Sequence, residues 1–344
     1  MGIMRLLHTI AGGQHGGAER FFVDLVGALA KRGVEQHAVS RPYPSRLERL
    51  TAFDCSITPA QMGGPVDFWS RWKANRGAVA FVPDISLAWM NRGARFSPSG
   101  PWLTVGRLGG YYDLKYYQNC DHLVCNTPDL VRHCKDQGWP KDRITYIPNF
   151  SPVVDVDPVV REALTTPDDA SVLLVLARLE KTKAVDVAIA ALVQLTKSYL
   201  WIAGSGSCEK ELRTMAASLG VADRVRFLGW RDDREALLKA ADVCLIPSRH
   251  EPFGNVVVNA WTNQTPVVAA ASEGPSFLIK SEENGLLVPI DDPPALAEAV
   301  ARLSDSQELA DRLVAGGNAT AAESFSEEAV ASAYIGLFKR LIQA

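Results

Sequence analysis

The fold is decided by residues 247–260, which read PSRHEPFGNVVVNA, and by the QTPVVA that follows at 264–269. The apolar run before them predicts a buried parallel strand, and the Pro and Gly residues predict a turn. Asn255 then opens a helix that Pro266 must end. This order places the Glu251 carboxylate and the first helical N–H groups at one edge of a sheet, where a phosphorylated ligand would fit. An ordinary surface connection has the same pattern, so the rest of the chain must decide.

Length and composition indicate a globular protein of two domains. The chain has 344 residues, enough for two cores of ordinary size. It contains no apolar run of the roughly 20 residues that a membrane span needs. The first apolar run, residues 4–10, is too short for a signal peptide. We therefore expect a cytoplasmic location.

The cysteines show neither a Cys-x-x-Cys pair nor the spacing of a zinc site, so we expect no metal and reduced thiols, mostly in the core. They are Cys55, Cys120, Cys125, Cys134, Cys208 and Cys244.

Charge is divided unevenly along the chain. Residues 1–150 contain 18 Lys and Arg against 12 Asp and Glu, and the remainder contains 18 against 27, which gives the net charge of −3. A basic half predicts contact with an anionic phospholipid surface or a phosphorylated acceptor. The cations do not form the clustered stripe of a nucleic-acid-binding module, so no nucleic-acid partner is expected.

The chain opens with a strand at 4–10, a glycine-rich loop at 11–19 and an amphipathic helix. The glycines lack the Gly-x-Gly-x-x-Gly spacing of a dinucleotide fingerprint, and no acidic residue closes the next strand. Glycines in this loop instead allow close approach of a ligand or a facing domain.

Apolar strands alternate with helical segments through both halves of the chain, which predicts α/β architecture with two Rossmann-like, doubly wound domains. The first domain is predicted at 1–150, joined by a C-terminal helix at about 327–344. A Pro- and Asp-rich linker opens the second, at 151–326.

Two stretches of the first half are rich in aromatic residues. Residues 68–76, FWSRWKANR, have the composition of a helix that lies on a membrane surface, or of a sheet-covering helix with buried Trp residues. Residues 106–117 follow a predicted strand and offer rings and hydroxyls that suit sugar faces, although Tyr residues also pack in cores.

Several motifs together resemble family 4 retaining glycosyltransferases. These are the quoted stretch with Glu251, Leu176 to Leu179 followed by Lys183, and three sets of residues at 203–207, 227–230 and 284–287. Residues 272–275 also match, and residues 5–40 match more loosely. The resemblance implies a GT-B fold, in which two Rossmann-like domains face each other across a cleft.

The resemblance also implies roles for individual residues. Arg178 and Lys183 would hold the donor diphosphate without a metal, and Glu251 would orient the donor sugar. The implied donor-binding residues are Gly16, Gly17, Gly204, Trp230, Phe253, Gly254, Asn255, Val256 and Asn259. Candidates for acceptor contact are His15, Arg107 and Asp113.

Three positions depart from the family pattern. Ala177 and Ala184 replace glycines around the two cations, and Asn259 replaces the carboxylate that usually holds the ribose hydroxyls. An amide can still donate to and accept from a diol, so donor binding is expected to survive while the choice of nucleotide becomes open.

The sequence therefore predicts a retaining hexosyltransferase that needs no cofactor and uses a UDP- or GDP-linked sugar. The expected acceptor is a glycan or a lipid-linked molecule of cell-surface polysaccharide or lipopolysaccharide synthesis, with possible peripheral contact to the inner face of the membrane. Two alternatives remain open: a nucleotide-sugar epimerase of the same architecture, and a degenerate, non-catalytic binding subunit.

Overall fold

The computed structural model describes residues 3–64 and 66–343, which form two compact units. The first consists of Met1–Phe150 and Glu327–Ala344, and the second of Ser151–Ser326. Each unit has a fully parallel sheet with helices on its faces.

The strands of the first unit are β1 Arg5–Ile10, β2 Glu35–Ser40, β3 Ser56–Pro59, β4 Ile85–Trp89, β5 Leu103–Leu108, β6 His122–Cys125 and β7 Ile144–Tyr146. Those of the second are β8 Ser171–Leu176, β9 Ser198–Ala203, β10 Val225–Gly229, β11 Val243–Ile246, β12 Val267–Ala270 and β13 Leu286–Val288.

The helices of the first unit are α1 Gly17–Ala30, α2 Pro44–Ala52, α3 Phe68–Phe81, α4 Met90–Phe96, α5 Pro128–Asp136 and α13 Glu327–Gln343. Those of the second are α6 Val185–Ala191, α7 Glu209–Ser218, α8 Arg234–Ala240, α9 Asn255–Thr262, α10 Glu273–Leu278, α11 Pro293–Asp305 and α12 Gln307–Ser324.

Strand order gives each sheet a point at which its winding reverses. The first sheet runs β3-β2-β1-β4-β5-β6-β7, and the second runs β10-β9-β8-β11-β12-β13. In each unit, the first strand lies between the next strand in sequence and a later one: β1 between β2 and β4, and β8 between β9 and β11. The chain connections on its two sides therefore run in opposite directions across the sheet. Loops after such a pair of strands diverge and leave a crevice, which is where ligands bind in open α/β sheets. The crevices lie after β1 and β4, and after β8 and β11.

The predicted doubly wound architecture is confirmed, because the central strands are apolar on both faces and helices cover them. The 18-residue helix α12 was not predicted. Its sequence is rich in Ala and Gly, with few large apolar side chains to mark a buried stripe. It packs on α9, where a Cβ on Gly317 would lie 2.2 Å from the Trp261 ring.

Helix α3 covers the sheet, but its Trp residues are not buried there. Its small residues Ser70 and Ala74 face the sheet, and Gly77 lies so close that a Cβ there would approach Thr58 Oγ1 to 2.6 Å. Trp69 and Trp72 point outward, with 76 % and 51 % of their surfaces exposed. The interpretation as a helix with buried Trp residues is therefore wrong, because Trp69 and Trp72 both lie on the outer face of the helix.

Two sequence expectations can be compared with the structure. All six cysteines carry free thiols, and only Cys208 is not fully buried. Within residues 3–64 and 66–343, every helix is too short or too polar to cross a membrane.

Candidate functional site

Three predicted site residues lie together at the crevice of the second sheet. Arg178 and Lys183 belong to the loop after β8, and Glu251 to the loop after β11. Strands β8 and β11 are hydrogen-bonded neighbours, with Val243 opposite Leu173. The parallel register brings the two loops, which are about 70 residues apart in sequence, to one edge of the sheet.

Lys183 and Glu251 form a direct ion pair across this crevice. Lys183 Nζ donates to Glu251 Oε2 at 2.5 Å, and both side chains are mostly buried. Partial burial strengthens the attraction and limits competition from water. The pair holds the ammonium group at the mouth of the crevice.

Arg249 links the loop after β11 to the loop after β8 through hydrogen bonds. This role was not identified from the sequence. Its backbone N–H donates to the Thr182 carbonyl at 2.9 Å, and its guanidinium donates to the Lys181 carbonyl at 2.6 Å. Hydrogen bonds to the Asp186 carboxylate raise the pKa of Arg249 above its usual range, with a further contribution from Asp291. Arg249 is thus a positioning residue for Lys183 and Glu251.

The loop carrying Glu251 is also held from the other side, by the start of α10. The Gly274 N–H donates to the Glu251 carbonyl at 2.7 Å, and Glu273 accepts from the His250 ring and the Glu251 N–H. A Cβ on Gly274 would lie 2.2 Å from the Phe253 carbonyl oxygen. Sequence matching flagged these residues, but their packing against the loop required the structure.

Helix α9 begins beside this loop. Gly254 precedes its first residue with φ at 92°, a left-handed conformation that favours glycine. The first N–H groups of the helix, at Asn255 and Val256, give this end partial positive charge. Phe253 packs in the core with 3 % of its surface exposed, so its side chain cannot face a donor. The predicted donor contact of Phe253 stays a prediction.

Arg178 is more open than Lys183. Its guanidinium pairs with Glu180 at 3.0 Å and is about half exposed. Gly204 is the residue that follows β9. A Cβ on Gly204 would approach the carbonyl oxygen of Ala177, the neighbour of Arg178, to 1.8 Å. Gly204 is therefore required for the close packing of the Arg178 loop. Trp230 lies after β10 with 38 % of its surface exposed.

Two of the departures from the family pattern have structural consequences. Ala184 adopts a left-handed conformation, with φ at 50°, which favours glycine over alanine. Asn259 is only 3 % exposed on α9, one turn beyond the start of the helix. The predicted contact between Asn259 and a ribose stays a prediction.

The candidates in the first unit divide into exposed and buried residues. His15, Gly16 and Gly17 lie at the crevice after β1, where Gly17 begins α1. Asp113 caps a short 3-10 turn, and hydrogen bonds from Lys115 lower its pKa below the usual range.

Arg107 requires a correction. It lies inside β5 rather than in the loop after it, and 1 % of its surface is exposed. Its guanidinium stacks over Phe21 and Trp89 and donates to Asn149. The prediction that Arg107 lies in a loop is wrong, since aromatic residues and neighbouring strands cover its side chain, and its contact with the acceptor stays a prediction.

The second-unit site has the groups needed to bind and activate a phosphorylated leaving group. Two cations and a helix N-terminus converge on one crevice, and a carboxylate lies beside them. Such an arrangement stabilises negative charge that develops on a diphosphate.

The comparisons with known proteins agree with this geometry. The sequence profile described as "Glycosyl transferases group 1" matches residues 157–320, and "Glycosyltransferase Family 4" matches residues 15–152. The chain is similar to the lipopolysaccharide core biosynthesis glycosyltransferase LpsD of Rhizobium meliloti (strain 1021), with 39 % identity over 98 % of both chains.

LpsE of the same strain is 38 % identical, over 94 % of this chain and 96 % of its own. Among solved structures, Anabaena Alr3699/HepE in complex with UDP and glucose superposes with a TM-score of 0.86 at 19 % identity, covering 98 % of this chain and all of that one. These similarities extend over both units and agree with the predicted GT-B fold, and the chain belongs to the family 4 glycosyltransferases.

Proposed function

We propose that this glycosyltransferase is a retaining enzyme that transfers a hexose from a UDP- or GDP-linked sugar and works without a metal. The observation that carries the proposal is the Lys183–Glu251 pair at the crevice after β8 and β11, beside the start of α9. The cations would bind the donor diphosphate, and the carboxylate would bind the sugar hydroxyls.

In the proposed reaction, the bond between the anomeric carbon and the terminal phosphate oxygen breaks, and its electron pair stays on that oxygen. Lys183, Arg178 and the first N–H groups of α9 stabilise the resulting charge. The acceptor hydroxyl bonds to the anomeric carbon on the same face. Its proton passes to the leaving phosphate oxygen, which gives a nucleoside diphosphate and a glycoside with retained configuration.

Glu251 acts in this scheme as an orienting group rather than as a base. Its carboxylate accepts a hydrogen bond from Lys183 at 2.5 Å. When a diphosphate takes over Lys183, the released carboxylate can accept hydrogen bonds from donor hydroxyls. Charged acceptors form stronger hydrogen bonds than neutral ones, so the carboxylate would hold the donor hydroxyls firmly in place.

The function is tested by incubating the protein with a panel of UDP- and GDP-sugars and a lipopolysaccharide acceptor in the presence of a chelator. We expect nucleoside diphosphate release with one donor, at the same rate with and without the chelator. Activity lost in the chelator and restored by Mg²⁺ or Mn²⁺ would contradict metal independence. An epimerase or a binding subunit would release no nucleoside diphosphate.

For the acceptor, we propose a lipopolysaccharide core or a related lipid-linked glycan. The support is the near-full-length similarity to LpsD and LpsE, whose names assign them to lipopolysaccharide core biosynthesis. The excess of cations in residues 1–150 is consistent with an anionic acceptor.

We further propose that α3 docks the protein on the cytoplasmic face of an anionic membrane. The exposed Trp69 and Trp72 rings contact each other at 6.1 Å, and Arg76 lies over the Trp72 ring. Val79 continues the same outward stripe with 67 % exposure. Aromatic rings flanked by cations favour the lipid headgroup region, and Lys73 adds positive charge.

Sedimentation with phosphatidylglycerol-containing vesicles tests this docking. We expect binding at low salt that weakens at physiological salt, because salt screens the attraction. Trp69→Ser with Trp72→Ser should weaken binding at least about tenfold, since two rings lose their apolar contact. Ile290→Ser, which removes an exposed apolar residue of the second unit, is the control. A wild-type protein that stays in the supernatant at low salt would rule out the docking.

We expect Asn259→Ala to raise the apparent KM for the donor about 2- to 150-fold, with a smaller effect on kcat. The reason is the loss of one or two neutral hydrogen bonds to the ribose, each of about 0.5–1.5 kcal/mol. Asn263→Ala at the end of the same helix is the control for packing, because its buried side chain donates to the Asn259 carbonyl. Unaltered donor affinity in Asn259→Ala would remove this residue from the donor site.

A further inference from the structure

A cationic depression of about 440 Å³ lies in the first unit, apart from the proposed donor site. Its lining consists of Arg71, Arg95, Lys115, Tyr116 and Asn119. Arg71 comes from the first turns of α3, Arg95 from the last turn of α4, and the other three from the segment after β5. These segments follow the carboxyl ends of β3, β4 and β5, which lie at one edge of the parallel sheet.

The depression therefore lies at the edge of the first sheet that is formed by the carboxyl ends of its strands, where ligands bind in open α/β sheets. Helix α4 follows β4 directly, and β4 forms the winding reversal with β1. The helix is held tightly, because a Cβ on Gly93 would approach the Thr9 carbonyl oxygen to 2.4 Å. Arg95 is thus presented from a fixed element beside the crevice.

The charge of the depression is only partly neutralised. Lys115 pairs with Asp113 at 2.7 Å. Arg95 has no ion-pair partner in the part of the chain that the structure describes. The Arg71 guanidinium is fixed by the Arg95 carbonyl at 3.2 Å and by stacking on Phe96 at 4.9 Å. Asp67, the nearest acidic residue along α3, caps that helix through Ser70.

Two guanidinium groups and an ammonium group around one depression repel each other when it is empty. An anion with several acceptor oxygens relieves that repulsion and accepts hydrogen bonds from all three side chains. A phosphate ester has this number of acceptors, and the Tyr116 ring beside it offers a surface for a sugar.

We propose that Arg71, Arg95 and Lys115 form a binding site for a phosphate group carried by the acceptor glycan. This inference rests on the proposed function for the identity of the acceptor, but the phosphate site itself does not depend on turnover. Bound there, the phosphate would fix the acceptor on the first unit and help to select its hydroxyl. Asp113, named from the sequence as an acceptor candidate, then acts by positioning Lys115.

The phosphate site is tested first by binding alone. Inorganic phosphate is titrated into the protein while the arginine Nε–Hε signals are followed by NMR, and the Arg95 signal is assigned by its loss in Arg95→Gln. We expect the Arg95 signal to shift with saturation, while the signal of exposed Arg92, which does not line the depression, stays in place. An unmoved Arg95 signal would overturn the proposal.

The source of the phosphate is tested with Arg95→Gln combined with Lys115→Gln, and with Arg92→Gln as the matched control on the same helix. Arg71 is left intact because it joins α3 to α4. We expect the double variant to raise the KM for a phosphorylated lipopolysaccharide acceptor about tenfold, the effect of losing a charge-assisted contact. Its KM for the same acceptor after removal of phosphate should match the wild type.

Vesicle sedimentation tests whether the bound phosphate belongs to a lipid headgroup instead of the acceptor glycan. An unchanged acceptor KM with weakened binding of the double variant to phosphatidylglycerol vesicles would assign the site to lipid headgroups and overturn the acceptor proposal. If the wild type transfers no sugar to either acceptor form, the proposed function fails, and the NMR titration still decides whether the depression binds phosphate.

Discussion

Lys183→Ala should reduce kcat/KM about 30- to 1,000-fold, corresponding to roughly 2–4 kcal/mol of lost transition-state stabilisation. The ammonium group lies at the mouth of the crevice, mostly buried and 2.5 Å from Glu251. Its removal takes a positive charge from the place where the leaving diphosphate gains negative charge. Steady-state kinetics with the productive donor measures the effect.

A second variant is needed because Lys183→Ala also removes the ion-pair partner of Glu251. Lys183→Ala leaves the Glu251 carboxylate without its cation, which can disturb the loop. Lys183→Gln keeps a hydrogen-bond donor for Glu251 and removes only the charge, so we expect a loss of similar size with normal thermal unfolding. Lys181→Ala, an exposed lysine in the same turn, should behave as the wild type. Full turnover in Lys183→Gln would refute the diphosphate site.

The Arg178→Ala variant should show a smaller loss than Lys183→Ala. The Arg178 guanidinium is about half exposed and pairs with Glu180, so solvent screens part of its attraction for the donor. The sequence motif does not predict this difference between the two variants, because both cations appear equivalent in it.

Gly274→Ala is expected to be strongly damaging although it adds only one methyl group. Its Cβ would lie 2.2 Å from the Phe253 carbonyl oxygen and 2.6 Å from that of Glu251, so the backbone must move. Overpacking of this kind costs about 1–3 kcal/mol of stability. A shift of the Glu251 loop by about 1 Å would also reduce activity roughly 100-fold.

Thermal unfolding and donor kinetics measure the two effects separately. Gly336→Ala on α13 is the matched control, because the added Cβ meets only the end of the Arg340 side chain, at 3.7 Å. That change should stabilise the protein by up to about 1 kcal/mol, since alanine favours a helix more than glycine. A Gly274→Ala enzyme with normal activity would show that the loop position does not matter.

The sequence alone determined the two series of strands and helices and the position of the donor loops. Apolar runs identify strands that are buried on both faces, and parallel strands place their following loops at one edge. The family resemblance, rather than the strand pattern, assigned Lys183 and Glu251 to one donor site, and the pairing of β8 with β11 that joins their loops appears only in the tertiary structure. Their motif spacing also identified the family.

Only the tertiary structure decided which side chains are accessible. Arg107 is polar and lies near a strand end, yet aromatic residues bury it. Trp69 and Trp72 are apolar, yet they are exposed, because small residues occupy the inner face of α3. Residue type predicts average burial, whereas the space left by the opposing element decides the individual case.

Contacts between distant segments were likewise invisible in the sequence. The Arg249 links between two loops and the cationic depression built from Arg71, Arg95 and Lys115 join residues separated by 20 or more positions. Local periodicity carries no information about such pairs, because it reports one element at a time. The packing of three elements at one sheet edge brings these charges together.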